Sequence, residues 1–226
     1  FNLNISYYLL KYIIMYYDDI KKKLMNSRIK KNVGIFIFDS VEILDFTGPY
    51  EVFASTRVTN KSNASIHKLS CPFNIFTFTE KKKIITCTGG LSVKSDFTIN
   101  NCPKLDLLIV PGGIGTRILL KNKNILNWLA TNKDINIIAS VCTGSLLLAK
   151  AGLLDNKKAT SHWGALELLK KLSPSTQILT NKKFVFDTYY TSAGVCAGIN
   201  MSLHIVEKLL GKKIAQNTAK YIEYDC

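Results

Sequence analysis

The sequence predicts an α/β fold, a mostly parallel sheet with helices packed on both of its faces. Three observations carry this expectation. Short apolar, β-branched runs recur at residues 33–38, 105–110 and 137–141, and uninterrupted runs of that kind mark strands covered on both sides. Each run passes through turn residues into a stretch with helical apolar spacing, the alternation that builds a parallel sheet. The chain has 226 residues, 47% hydrophobic and 20% charged, so it can bury one full core without a second domain.

The elements follow in order. After the first run and the pair Asp39-Ser40 comes the segment 42–53, in which Asp45 precedes a helix with Pro49 in its first turn. Residues 57–70 are polar and read as a loop. Residues 73–79 and 84–88 read as strands, and Gly89-Gly90 turns the second of them into 91–94 as a small hairpin. The strand at 105–110 runs into Pro111-Gly112-Gly113-Ile114-Gly115. A helix then extends to about Thr131 on an apolar face of Leu119, Leu120, Ile125, Leu126 and Leu129. The strand at 137–141 feeds a helix that ends at Ala151-Gly152. Residues 158–161 form a short strand and His162-Trp163 opens the next helix. Short strands at 177–179, 184–188 and 189–192 lie near the sheet edge. Residues 194–198 open a helix reaching about Leu210, and a last helix covers 212–222. The whole describes a flavodoxin-like three-layer sandwich over residues 25–226.

Residues 1–24 are expected to be an N-terminal extension. The chain opens on Phe1, and Met25 directly precedes the first clear strand region. Residues 6–17 are apolar apart from Lys11, too short for a membrane span and without the flanks of a signal peptide. The formal charge is +14, of which +5 falls in residues 1–31. The cations are mostly scattered Lys, with no Arg-rich helix or aromatic-basic strand, so neither nucleic acid nor a membrane surface is the expected partner. Cys71, Cys87, Cys102, Cys142, Cys196 and Cys226 form no C-x-x-C pair. That scatter argues against a zinc site or a disulfide framework and fits a reducing cytoplasm.

The chemistry centres on Val141-Cys142-Thr143-Gly144-Ser145. A buried strand that passes straight into a helix lifts one side chain onto the end of the sheet, and a helix N-terminus favours a thiolate there. Cys142 is therefore a candidate nucleophile, with a buried structural cysteine as the plain alternative. In open α/β sheets ligands bind beyond the carboxyl ends of the strands. Asp45, Gly112, Gly113, Thr143 and His162 all fall at strand ends and are expected to converge there. Gly112 and Gly113 would bring backbone N–H donors to a developing negative charge, joined by the Thr143 N–H. Asp45 is the candidate acid and base, or else a helix N-cap. His162 is either a neighbour of the nucleophile or a helix-start residue against the sheet. His67 and His204 read as structural.

These residues carry a family resemblance. Leu44-Asp45-Phe46-Thr47-Gly48-Pro49, Val110-Pro111-Gly112-Gly113, the Cys142 elbow running on to Leu154, Ala159-Thr160-Ser161-His162-Trp163, Thr191-Ser192-Ala193-Gly194-Val195 and Ile222-Glu223-Tyr224-Asp225 occur in order from residue 33 to the C-terminus. Together they resemble the DJ-1/PfpI superfamily, with its class I glutamine amidotransferase-like sandwich. Within it they are similar to the isonitrile hydratase group and to the sensor halves of AraC-type regulators. The resemblance implies Cys142 as nucleophile, Asp45 as its facing acid, Thr143 in the same activity and His162 approaching the thiol. It implies a small-molecule isonitrile substrate, an N-substituted formamide product, no cofactor and a homodimer. A sensor or a glyoxalase-like thiol enzyme on the same fold are the alternatives. The chain reaches Cys226 without room for paired helix-turn-helix units, so a stand-alone enzyme is expected. Cys196 and Asn200 stand where relatives usually carry Ser and Asp, and the second change removes a charge.

Overall fold

The computed structural model describes residues 30–58, 70–81 and 83–225. The expected extension over residues 1–24, His67 and Cys226 lie outside the described residues, as does most of the polar loop at 57–70. Lys31–Phe36 (β1) heads a seven-stranded sheet. Its other strands are Phe73–Thr79 (β2), Phe97–Thr98 (β5), Leu107–Val110 (β6), Ile137–Val141 (β7), Phe184–Phe186 (β10) and Tyr190–Ser192 (β11). The order is β10-β11-β7-β6-β1-β2-β5, and only β10, at one edge, runs antiparallel to its neighbour. Ile84–Thr86 (β3) and Ser92–Lys94 (β4) form the expected hairpin, and Lys158–Ala159 (β8) pairs with Gln177–Ile178 (β9) in a separate two-stranded sheet.

Helices Ile43–Ser55 (α1), Ala197–Leu210 (α6) and Lys212–Tyr221 (α7) pack together on one face. Thr116–Leu119 (α2), Lys123–Thr131 (α3), Gly144–Lys150 (α4) and Leu166–Leu172 (α5) lie on the other. The strand period explains how β2 serves both layers. Phe73 and Phe78 are an odd number of residues apart and so point to opposite faces. Phe73 meets Phe53 of α1 with ring centroids 5.1 Å apart, while Phe78 meets Trp128 of α3 at 5.3 Å. The central strand β6 is buried at all four positions, as its unbroken Leu-Leu-Ile-Val run requires.

Several elements differ from their sequence reading. The first helix starts at Ile43, so Asp45 lies inside it and Glu42 takes the N-cap position. Pro49 sits mid-helix, where it removes the N–H that would bind the Asp45 carbonyl. The single helix expected up to Thr131 is two, divided at Asn122, whose side chain caps α3 by accepting from the N–H groups of Asn124 and Ile125. His162 begins a 3-10 turn, Trp163–Ala165, before the α-helix proper. Tyr190–Ser192 is an interior strand paired with both β7 and β10, and the two-residue β5, which pairs with β2 at the opposite edge, has no legible pattern in the sequence. No helix among the described residues is long and apolar enough to cross a membrane.

The core rests on β6. Truncating Leu108 to Ala, fully buried on the central strand, should lower unfolding free energy by about 2–5 kcal/mol, the usual range for emptying such a site. Urea unfolding followed by circular dichroism reads that loss directly.

Candidate active site

The end of β7 carries the reactive geometry. Cys142 follows Val141 with φ +56°, a left-handed conformation that L-residues avoid. It is held there from both sides. Its N–H donates to the Ser192 carbonyl at 3.1 Å, and its own carbonyl accepts from Ser145 Oγ at 3.1 Å and from Ser161 Oγ at 3.0 Å. Two residues later α4 begins, so the thiol stands at a sharp strand-to-helix elbow. Cys142 is 7% exposed.

Asp45 faces this thiol from α1 and is wholly buried. One carboxyl oxygen accepts the Gly112 N–H at 3.0 Å and the other accepts the Val195 N–H at 3.1 Å. The Cys142 thiol also bonds to the carboxylate. Asp45 therefore caps no helix, and its partners come from the turns after β6, β7 and β11. Val195 achieves its contact at φ +43°, an outlier for a β-branched residue. Two close approaches demand glycine. A Cβ on Gly112 would lie 2.6 Å from the Thr143 nitrogen and 2.8 Å from Asp45 Oδ2. One on Gly194, at φ +130°, would lie 3.0 Å from Cys142 Cβ.

Burial dominates the electrostatics. Loss of hydration pushes Asp45 up to about 6, against the pull of the Gly112 donor, the Cys142 thiol and the Val195 donor, with nearby Glu42 adding to the rise. Burial likewise pushes Cys142 up to about 12, aided by the Asp45 charge and opposed by hydrogen bonds from the Thr143 N–H and hydroxyl. The expectation that the helix N-terminus makes a resting thiolate is thus corrected. The helix has seven residues, and its pull is smaller than the desolvation of sulfur beside a carboxylate. At neutral pH the pair holds one proton, on sulfur, with a carboxylate base against it.

The glycine turn is also corrected. The Gly112 N–H is committed to Asp45, and the Gly113 N–H to Thr143 Oγ1 at 3.0 Å. Neither is spare for an oxyanion in this arrangement; both position the acid and the threonine. Thr143 Oγ1 also lies 3.2 Å from Thr116 Oγ1, and the Thr143 N–H points at the sulfur. Among the described residues no hydrogen bond joins His162 to Cys142 or Asp45. Its Nδ1 accepts the Gly164 N–H at 3.2 Å and its ring lies 5.2 Å from that of Trp163. Asn200 also stands apart, accepting the Tyr224 hydroxyl at 3.0 Å, and Cys196 is exposed. Sequence reasoning missed Ser145, Ser161 and the Val195 N–H. Ser161 and Val195 lie within the motifs quoted above, but neither their backbone roles nor their bonds have a residue-type signature. Among the described residues no cluster of side chains suits a metal ion. A cavity of about 300 Å³ borders the same turn through Gly115 and Ile118, walled by Phe36, Phe38 and Ile85.

Comparison with known proteins shows the family. The DJ-1/PfpI family pattern matches residues 31–208. The chain is 33% identical to the isonitrile hydratase of Pseudomonas putida over 194 residues, 85% of this chain and 78% of that protein. It is 27% identical to the HTH-type transcriptional regulator GbdR of Pseudomonas aeruginosa, covering 88% of this chain but only 52% of the regulator. The crystal structure of a THiJ/PfpI family protein from Pseudomonas syringae superposes with a TM-score of 0.76 at 28% identity, over 88% of this chain and 76% of that one. The chain belongs to the DJ-1/PfpI family.

The resting proton has a measurable consequence. Asp45→Asn removes the negative charge and the acceptor that hold the proton on sulfur, so Cys142 should be alkylated by iodoacetamide about tenfold faster at mildly alkaline pH. In the unaltered protein exposed Cys196 should react before Cys142. Peptide mass spectrometry of timed samples resolves the two cysteines.

Proposed function

We propose that this DJ-1/PfpI-family protein is a cysteine-dependent hydratase that adds water to the terminal carbon of an isonitrile, releasing an N-substituted formamide. The observation that carries the reading is the buried Asp45 carboxyl, fixed by the Gly112 and Val195 N–H groups beside the Cys142 elbow, and the likeness to the isonitrile hydratase of Pseudomonas putida supports the choice of substrate. The reaction needs a nucleophile for the isonitrile carbon and a proton for that same carbon. One thiol and one carboxylate supply both.

In the resting state Asp45 is ionised and Cys142 is a thiol. As sulfur attacks the terminal carbon, its proton passes to Asp45 and from there to the carbon. The product is a thioimidate, R–N=CH–S–Cys142, with Asp45 again a carboxylate. Asp45 then takes a proton from water as the water oxygen adds to the same carbon. Asp45 passes that proton to the nitrogen; collapse of the tetrahedral adduct then breaks the carbon–sulfur bond, and the hydroxyl proton returns through Asp45 to the departing sulfur, so Cys142 regains its thiol. The sum is one isonitrile and one water to one formamide. The Thr143 N–H and hydroxyl, which already bond to sulfur, stabilise the thiolate as it is expelled. His162 has no step to perform from its position. The reading carries with it a homodimer in the cytoplasm, with no cofactor and with neither nucleic acid nor membrane as partner.

A second reading, a small-molecule sensor, draws support from the likeness to half of a transcriptional regulator. A glyoxalase-like thiol enzyme would use the same pair. A panel of isonitriles and methylglyoxal, followed for formamide and lactate, separates the three: formamide supports the hydratase, lactate the glyoxalase, and binding without turnover the sensor.

Two outcomes follow for the hydratase. Cys142→Ala and Asp45→Asn should each reduce formamide production at least about 10³-fold while the circular dichroism spectrum is retained, and undiminished turnover in either sinks the mechanism. Turnover should also fall as pH drops through about 6, where Asp45 becomes neutral and the base is lost. With the thiol pushed up to about 12, no matching fall is expected on the alkaline side short of unfolding. A pH–rate profile for kcat/KM measures both limbs.

A further inference from the structure

The Cys142 elbow is secured by a residue that the reaction itself does not touch. The peptide between Cys142 and Thr143 is one planar unit, so its carbonyl oxygen and its N–H point in opposite directions. The oxygen is held by two hydroxyls, Ser145 Oγ at 3.1 Å and Ser161 Oγ at 3.0 Å. The N–H on the other side acts on the Cys142 sulfur and favours its thiolate. Fixing the oxygen therefore fixes the aim of the N–H.

The two hydroxyls are not equivalent. Ser145 lies three residues on, in the first turn of α4, and moves with the elbow. Ser161 lies 19 residues away, at the end of β8, and is 2% exposed. Its own strand end is tied to the sheet, since the Thr160 N–H donates to Thr191 Oγ1 at 2.9 Å. Thr191 sits on β11, which pairs with β7 immediately before the elbow. Ser161 is thus the anchor that refers the elbow to the rigid sheet. A residue at φ +56° persists only where its surroundings over-determine it, and Ser161 supplies the tertiary part of that constraint. Removing its hydroxyl leaves the Cys142 carbonyl with one donor, so no buried acceptor is orphaned and the fold should survive.

We propose that Ser161 is a positioning residue: by holding the Cys142 carbonyl it keeps the Thr143 N–H aimed at the sulfur as the thiolate forms and leaves. The inference rests on the reading of Cys142 as the reactive thiol. It assigns to Ser161 the support of the nucleophile that its neighbour His162 does not provide from its present position.

The test is Ser161→Ala, read first by alkylation of Cys142 with iodoacetamide and peptide mass spectrometry. Loss of aim makes the thiolate harder to form, so Cys142 should be modified about fivefold more slowly at a given alkaline pH. Its rate profile should move toward higher pH, while exposed Cys196 reacts at an unchanged rate. Asp45, the ionisable group acting on the thiol, is untouched in this variant. Mere loosening of the structure would expose the sulfur and speed its modification, so the direction separates positioning from packing. Ser161→Thr, which keeps the hydroxyl, should restore the rate. With isonitrile, Ser161→Ala should lower kcat about tenfold and leave KM nearly unchanged. Should Ser161→Ala fail to fold, Ser161→Cys, whose thiol is a much weaker donor to the same carbonyl, must slow alkylation of Cys142 likewise. An unchanged or faster alkylation overturns the proposal. Because alkylation requires no turnover, a protein inactive on every isonitrile but slowed by Ser161→Ala would defeat the hydratase reading alone.

Discussion

One buried carboxylate organises this site. Asp45 sits in α1 with no exposure to solvent and gathers partners from three separate turns: the Gly112 N–H after β6, the Cys142 thiol after β7 and the Val195 N–H after β11. Those donors are 67 and 150 residues away in sequence, so the ionised form exists only in the folded chain. They do not fully offset the hydration that Asp45 gives up, and its pKa rises from 3.8 to about 6. A carboxyl that holds its proton more tightly in the folded state stabilises the fold below its unfolded pKa, and that contribution is lost as pH rises through 6. At neutral pH Asp45 thus weighs against folding by about 3 kcal/mol. A charge kept at that cost in a core that could hold an apolar side chain is accounted for by its chemistry.

Backbone strain is concentrated around the same group. Cys142 and Val195 both lie at positive φ, and each presents a hydrogen-bonding group to Asp45. The sheet makes this tolerable. β6, β7 and β11 are neighbours in register, so the three turns that reach Asp45 leave adjacent strand ends and cannot drift independently. Glycine at 112 and 194 removes the side chains that would keep those turns apart. The result is a carboxylate and a thiol held side by side, and on the proposed reading this preorganisation lowers the cost of ordering the reaction.

Most of the fold was legible because its strands are apolar runs with one reading. The β6 and β7 segments need cover on both faces, and their glycine and cysteine turns fell at the carboxyl ends, where ligand sites form. The boundaries were harder. Pro49 looked like a helix start, yet the helix begins six residues before it, since tertiary packing of Phe46 and Val52 outweighs one missing N–H. Cys142, Asp45 and Thr143 were visible as candidates and the structure brings them together. Their protonation was not visible, because it depends on burial, which no local pattern reports. The reading of Gly112 and Gly113 as free donors failed for the same reason: a sequence shows that an N–H can approach, not which acceptor has already taken it. Val195 acts through its backbone N–H, which carries no residue-specific signature, and Ser161 through a hydroxyl whose acceptor is the carbonyl of a residue 19 positions away, which no local pattern reports.

The relatives include an isonitrile hydratase and a transcriptional regulator. On the proposed mechanism Cys142 and Asp45 share a single proton, resting on sulfur at neutral pH. Carbon-13 NMR of the aspartate carboxyls across a pH titration tests it most directly, with Asp45 assigned by its loss in Asp45→Asn. A midpoint near 6 is predicted, moving higher in Cys142→Ala as the thiol donor is lost. A midpoint near the ordinary 3.8, unmoved by that substitution, would contradict the account.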